Sequence, residues 1–351
     1  MTTLHTPPET PTEVSTTKAS WLTDLETSVT TGRGTMLVPR IVVVTLATAA
    51  VVAAGLVGDS TLRYSLIIGT VLAIAILGSN AVTGALGEIN LGGSANMAFG
   101  AYAVTWALKQ GWSLPLAVLF AVVIGFVLSA VLAIPTVRLH GVFTALTTFA
   151  LAFAIPDLSM YLSQFTGGEM GTSVPMVTIG STTLDTSSGT MLVLVAIVFL
   201  ALAIVSSVLF SRAAGRTMLV VSEAAPAAHV FGLRVTAVKI AIWTWSGTLG
   251  AFAGVLYALT TGFLNTTMFT FFLAVTILVG GLIGGARSVT GALIGGLVVG
   301  TLPMHIQSVV PAAATGLVLG VIMLLALLTG RNGVAGMLEK ITVRFLTRRS
   351  A

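Results

Sequence analysis

Long apolar stretches dominate the chain, broken by short polar punctuation. Windows of about 20 mostly apolar residues, enough to span a bilayer as a helix, recur near 38–57, 62–83, 88–108, 113–136, 142–162, 190–210, 239–262, 270–286, 289–307 and 312–330. The pattern predicts an all-α polytopic membrane protein of about ten transmembrane helices. The regions 88–108 and 263–286 are rich in Gly and Asn, which predicts a broken or re-entrant helix in one or both. Irregular backbone at membrane depth is tolerated only where protein or a water-filled cavity covers it. On this scheme spans 2–5 and 7–10 run in opposite senses, compatible with inverted repeats.

The ends differ from the middle. Residues 1–37 open with MTTLHTPPETPTEVSTTKAS, rich in Thr, Pro and Glu and without apolar periodicity, which predicts a disordered tail. The first apolar run starts only at Ile41, so the chain reads as anchored rather than cleaved. A transmembrane domain is expected over 38–330 and a basic tail over 331–351. With the N-terminus in the cytoplasm and alternating spans, every one of the 16 Lys and Arg except Arg63 and Lys109 falls inside. The positive-inside rule thus predicts both termini in the cytoplasm, a multi-pass protein of the plasma (inner) membrane, and an outer loop near 163–189.

Composition narrows the function classes. Mean hydropathy is +1.04, and only 8% of residues are charged. The net charge of +5 fits membrane orientation better than nucleic acid, because the basic residues are not interleaved with aromatics on a soluble face. With no Cys and four scattered His, no disulfide or metal-ligand cluster is expected. No G-x-x-x-x-G-K-[ST] occurs, so the chain carries no P-loop ATPase of its own. An intramembrane enzyme would need a convergent acid, base or metal site, and the sequence offers none.

Several segments bear chemistry. In GALGEINLGGSANMAFGAY, Glu88, Asn90, Ser94 and Asn96 are polar groups at or just inside the membrane, spaced so that several share a helix face. Polar groups in lipid are costly unless they face the bundle interior or a cavity. Two readings stand side by side: interhelical hydrogen bonding, or a translocation path or gate, to which Thr147 of RLHGVFTALTT would also belong. Glu88 has a further reading at a helix N-terminus, where a carboxylate is favoured. Arg138 and His140 read as topology anchors, with contact to a cytoplasmic subunit as the second reading. Asp157, after Pro156, is a carboxylate deep in a span, read as a proton relay, as a partner for backbone groups freed by the proline, or as a group at the exit of the span. Outside, QFTGGEMGTSVP places Thr166, Gly168 and Glu169 in a turn-rich anionic patch, either a solvated loop or a docking surface. Gly291 and Gly295, Gly296 and Gly300, and Gly316 and Gly320 lie at the small-xxx-small spacing that lets helices approach closely.

The longest polar interruption is 211–239, SRAAGRTMLVVSEAAPAAHVFGLRVTAVK. It reads as a cytoplasmic coupling loop through which a partner moves the membrane domain. Glu223, Ala224 and Ala225 begin a small-residue surface able to dock closely. Val230 and Phe231 supply apolar anchors, Gly232 follows, and Arg216 and Arg234 are placed to pair with acids on a partner.

Taken in order, these segments resemble the permease subunits of branched-chain amino acid-type ABC importers over roughly 60–310. GEINLGGSANMAFGAY is similar to G-x-(I/L)-S-L-G-H-x-x-F-x-x-x-G-A-Y, and RLHGVFTALTT to R-L-R-G-x-Y-x-A-x-x-T. TGGEMG resembles T-G-G-x-x-G, the 211–239 stretch resembles a coupling segment ending in G-(I/V)-x-x-x-x-x-K, and GGLIGGARSVTGALIGG is similar to G-G-x-G-x-x-x-G-P-x-x-G-A. The chain departs from the pattern at Asn90, Gly93, Ser222 and Ala292. The resemblance implies a subunit that translocates a small polar solute delivered by an extracytoplasmic binding protein. Branched-chain or other amino acids come first, then urea, amides or organic acids. It also implies a second homologous permease subunit and two ABC ATPase subunits, which would bind the ATP and Mg that this chain does not. The alternative is an ion-coupled secondary transporter, with Asp157 or Glu88 as its titrating group.

Overall fold

The computed structural model describes residues 37–139, 141–179, 182–183, 188–211, 217–218, 220–221, 234–307 and 320–321. The N-terminal tail, most of 211–239, nearly all of the last apolar window and the basic C-terminal tail lie outside these residues. The principal helices are α1 (Leu37–Val57), α2 (Ser60–Ala85), α3 (Gly93–Lys109), α4 (Leu114–Val137), α5 (Val142–Tyr161), α6 (Gly189–Ser211), α7 (Val235–Thr261), α8 (Phe271–Gly284) and α9 (Val289–Gln307). Six of them, α2, α4, α5, α6, α7 and α9, are long and apolar enough to cross a membrane by length and composition. The chain is therefore an all-α polytopic membrane protein, and the apolar windows up to 307 each hold a helix.

The two regions expected to be broken, 88–108 and 263–286, each carry an irregular stretch ahead of a helix. The expected span at 88–108 begins only at Gly93, and Leu86–Gly92 is not helical. Glu88 and Asn90 therefore do not share a helix face with Ser94 and Asn96. Likewise the 263–286 region forms a short strand, Phe263–Leu264, and a 3-10 turn, Thr266–Phe269, before α8 starts. At 1.5 Å per residue, the 14 residues of α8 run about 21 Å, less than the ~30 Å hydrocarbon core. Gly87, with φ +70, sits in the left-handed region that ends helical continuation after α2.

The two breaks are counterparts. A long helix, an irregular segment, a short helix and a further helix occur in that order as α2, 86–92, α3, α4 and again as α7, 262–270, α8, α9. In each irregular segment an Asn side-chain oxygen accepts from the backbone N–H two residues on, Gly92 at 2.9 Å from Asn90 and Thr267 at 2.6 Å from Asn265. Such Asx turns supply locally the hydrogen bonds a helix would have made. The cross-contacts match too: α2 packs against α9 as α7 packs against α4, and α2 and α7 pack on each other. This repeated order of elements is compatible with the inverted repeats expected from the sequence.

Packing between these helices depends on missing side chains. α7 crosses α3 where Gly254 faces the Met97 carbonyl, Gly100 faces that of Ala251, and Gly250 lies beside Asn96. The glycine pairs of α9 serve two neighbours: Gly291 and Gly295 meet α8 at Gly284 and Gly280, while Gly296 and Gly300 meet α2 at Ala73 and Gly69. Lipid tails are as apolar as Leu, so close van der Waals contact, not water exclusion, supplies the association. Thr70, Thr105, Thr136, Thr248 and Thr260 each donate their hydroxyl to the carbonyl four residues back, which lets them sit inside an apolar bundle.

A methyl group at Gly254 would overlap the Met97 backbone, which cannot swing aside. We expect Gly254→Ala to destabilise the subunit by about 1–3 kcal/mol or more. Gly189→Ala, whose methyl would meet only the end of Leu56 at 3.0 Å, should stay within about 0.5 kcal/mol. Thermal unfolding of the two variants in the same detergent compares them directly.

Candidate translocation and coupling site

The irregular segment Leu86–Gly92 is held on α7 by side chains at one helical face. Lys239 Nζ lies 2.6 Å from Glu88 Oε1, and Trp243 Nε1 donates to Glu88 Oε2 at 3.1 Å. The side chains of Glu88 and Lys239 are only 9% and 13% exposed. One turn further along α7, Ser246 Oγ accepts from Asn90 Nδ2 at 3.1 Å. Lys239, Trp243 and Ser246 follow at spacings of four and three, which puts them on one stripe. A third helix closes the site: the Leu91 N–H donates to Thr148 Oγ1 at 3.2 Å on α5. Removing one partner of a buried ion pair typically costs about 3–5 kcal/mol, because the other charge stays behind unpaired.

Deeper along α3, Asn96 Oδ1 accepts from Ser129 Oγ on α4 at 3.2 Å, beside Gly247 and Gly250 of α7. Asn90 and Asn96 thus bridge between elements. Ser94 differs, since its buried hydroxyl has no hydrogen-bond partner among the described residues. The same holds for Ser79, the Asn80 amide nitrogen and Thr83 on α2, and for Thr244 on α7. Buried polar atoms are rarely left unpaired in a finished assembly.

An apolar floor lies beside this polar seam. Ala81, Val82, Leu86, Val137, Val235, Ile242 and Trp243 form one cluster with Met218 and Val221 of the 211–239 stretch. Met218 and Val221 are buried, so part of that stretch belongs to the packed bundle. Arg234 is exposed at the residue before α7. Arg216, Glu223, Ala224, Ala225, Val230, Phe231 and Gly232 lie outside the described residues.

At the opposite end, the T-G-G-x-x-G loop is a built turn. Thr166 is buried, donates to the Ser159 carbonyl at 2.5 Å and accepts from the Gly168 N–H at 3.2 Å. Gly167, Gly168 and Gly171 all have positive φ, and a Cβ on Gly167 would strike the Gly171 carbonyl. Thr172–Ser173 then pairs antiparallel with Phe263–Leu264, and Lys109 reaches the Thr172 hydroxyl. Thr166 and Gly168 shape the loop, while Glu169 and Met170 are its exposed face.

Other expected positions fall elsewhere. Thr147 is half-buried and donates to the Phe143 carbonyl of its own helix at 2.9 Å, so it is not brought to the seam; its neighbour Thr148 is. Asp157 is exposed in the last turns of α5 and is not directed into the bundle. The sequence reading missed Lys239, Trp243, Ser246, Ser129 and Thr148. The spacing K-x-x-x-W-x-x-S on an otherwise apolar helix marked the first three, but Lys239 read as an orientation charge and as the end of the coupling segment.

An all-α polytopic membrane protein with a buried polar seam between its central helices is a build that transport proteins use. Within that class the chain belongs to the family of branched-chain amino acid transport system / permease components, which matches residues 61–327. Two similar proteins are the high-affinity branched-chain amino acid transport system permease proteins LivM of Salmonella typhimurium and Escherichia coli. The first is 30% identical over 259 residues, covering 64% of this chain and 60% of that protein. The second is 29% identical over 242 residues, covering 60% of this chain and 56% of that protein. The match thus spans somewhat under two thirds of either relative. No solved structure matches the chain.

Two adjacent threonines separate the seam from the surface of α5. Thr148→Val removes the acceptor of a half-buried backbone N–H and should cost about 1–3 kcal/mol. Thr147→Val loses only a bond within its own helix and should change stability by less than about 0.5 kcal/mol. Equal losses in a detergent melting series would show that Leu91 does not depend on Thr148.

Proposed function

We propose that this chain is the membrane-spanning permease subunit of an ATP-driven ABC importer for a small polar solute, with branched-chain amino acids first. The observation that carries the reading is the family match across 61–327, together with the motif order of the same region. The chain would sit in the plasma membrane with about ten spans and both termini in the cytoplasm. It would pair with a second homologous permease, two ATPase subunits that bind ATP and Mg, and an extracytoplasmic binding protein.

In this reading the seam of Glu88, Asn90, Ser94 and Asn96 lies on or beside the solute path. The unpartnered hydroxyls of Ser94 and Thr244 and the Asn80 amide are groups that a passing polar solute or its water would satisfy. Glu169, held out by the Thr166–Gly168 turn, is the group offered to the binding protein. Residues 211–239 meet the ATPases: Glu223, Ala224 and Ala225 seat in a cleft, Val230 and Phe231 anchor them, and Arg216 and Arg234 pair with acids. Opening and closing of the ATPases then rocks the helices. Two observations weigh against an ion-coupled secondary transporter: Glu88 is tied to Lys239 and Trp243, and Asp157 faces outward.

The coupling stretch supplies the test. Glu223→Arg or Ala224→Trp should reduce uptake by the reconstituted complex about tenfold or more, within the usual range of coupling free energies, while the ATPase subunits still hydrolyse ATP. Uptake at the wild-type rate in both variants would remove this stretch from the mechanism.

A further inference from the structure

We propose that Glu88 is a positioning residue that joins the Asn90 segment to the first turns of α7, so that movement of α7 driven from its N-terminal end reaches the polar seam through the Glu88–Lys239 ion pair. This rests on the ABC-permease reading above. Lys239 closes the 211–239 stretch and stands in the second turn of α7. Its ammonium holds one oxygen of Glu88 at 2.6 Å, and Trp243, one turn on, holds the other at 3.1 Å. Two donors on one helix, each taking one carboxylate oxygen, fix both the height and the rotation of the segment against α7. Asn90, two residues along, is fixed again by Ser246. A displacement of the first turns of α7 therefore carries Glu88 and Asn90 with it.

Met218 and Val221 approach the same segment from below, in one apolar cluster with Leu86, Val137 and Val235. An apolar contact of this kind resists compression but slides under shear. The ion pair does not slide, because parting it leaves two poorly hydrated charges. A well-packed apolar pair of similar volume often holds a fold equally well, so folding alone gives little reason for two charges here. Transmission of pull as well as push gives one. Beyond the seam, Leu91 is tied to Thr148, so the motion passes from α7 through the segment to α5.

The test uses the complete complex in proteoliposomes, with labelled leucine, isoleucine and valine as probes, and reads solute transported per ATP hydrolysed. Glu88→Gln and Lys239→Met should each lower that ratio about tenfold, as loss of a coupling contact would. The exchanged pair, Glu88→Lys with Lys239→Glu, should restore much of it. Trp243→Phe keeps an aromatic ring, though a smaller one, and removes the indole N–H bond to Glu88, and should lower the ratio less. A purely structural pair would reduce the amount of assembled complex and leave the ratio of what assembles unchanged, and that result overturns the proposal. Should the single variants fail to assemble, the exchanged pair and Trp243→Phe decide: wild-type ratios in Trp243→Phe together with an exchanged pair that stays uncoupled also overturn it. A wild-type complex that takes up none of the three solutes with ATP overturns the permease reading and the coupling with it; a transporting wild type with unchanged variants overturns the coupling alone.

Discussion

The crossing of α7 over α3 and α4 is the contact on which the rest of the bundle depends. Gly247, Gly250 and Gly254 let α7 approach until its neighbours touch backbone and short polar side chains: Ser129 of α4, and Asn96 and Met97 of α3. A larger residue at any of these positions would push α7 away from both helices. The same approach brings the first turns of α7 beside Leu86–Gly92, so Lys239, Trp243 and Ser246 reach the only stretch between α2 and α3 where backbone is not helical. Close packing and the polar seam are thus one arrangement.

Inside such a bundle each polar group needs a partner, and the partners reveal what the groups do. Glu88, Asn90 and Asn96 are anchored to other elements, which fixes the irregular segment in space. Among the described residues, Ser94, Asn80 and Thr244 keep atoms without a hydrogen-bond partner. The ion pair ties this segment to the first turns of α7.

Much of the fold was legible in the sequence because apolar windows report spans directly. The apolar runs at 62–83 and 113–136 became α2 and α4 almost to the residue. The breaks ahead of α3 and α8 were foreshadowed by Gly and Asn, which favour turns over helix. The starting point of α3 was not, because Glu88 and Ile89 fit a helix as well as a loop. The division of the α9 glycines between α8 and α2 was likewise hidden, since spacing shows closeness without naming the neighbour. At the site, the polar residues of 88–96 stood out against an apolar background. Their partners on α7 and α5 did not, because Lys239 is 151 residues from Glu88 and no local spacing links them. Choosing Thr147 over Thr148 was a matter of one residue, which on a helix is about 100° of rotation.

We propose that ATP hydrolysis on partner subunits, and not an ion gradient, drives solute through this bundle. The most direct measurement is uptake of labelled leucine, isoleucine and valine into proteoliposomes holding the full complex and its binding protein, with no ion gradient imposed. Uptake should require ATP and disappear when the ATPase subunits are catalytically dead. Full-rate uptake by the permease subunits alone, driven by a proton or sodium gradient, would contradict it.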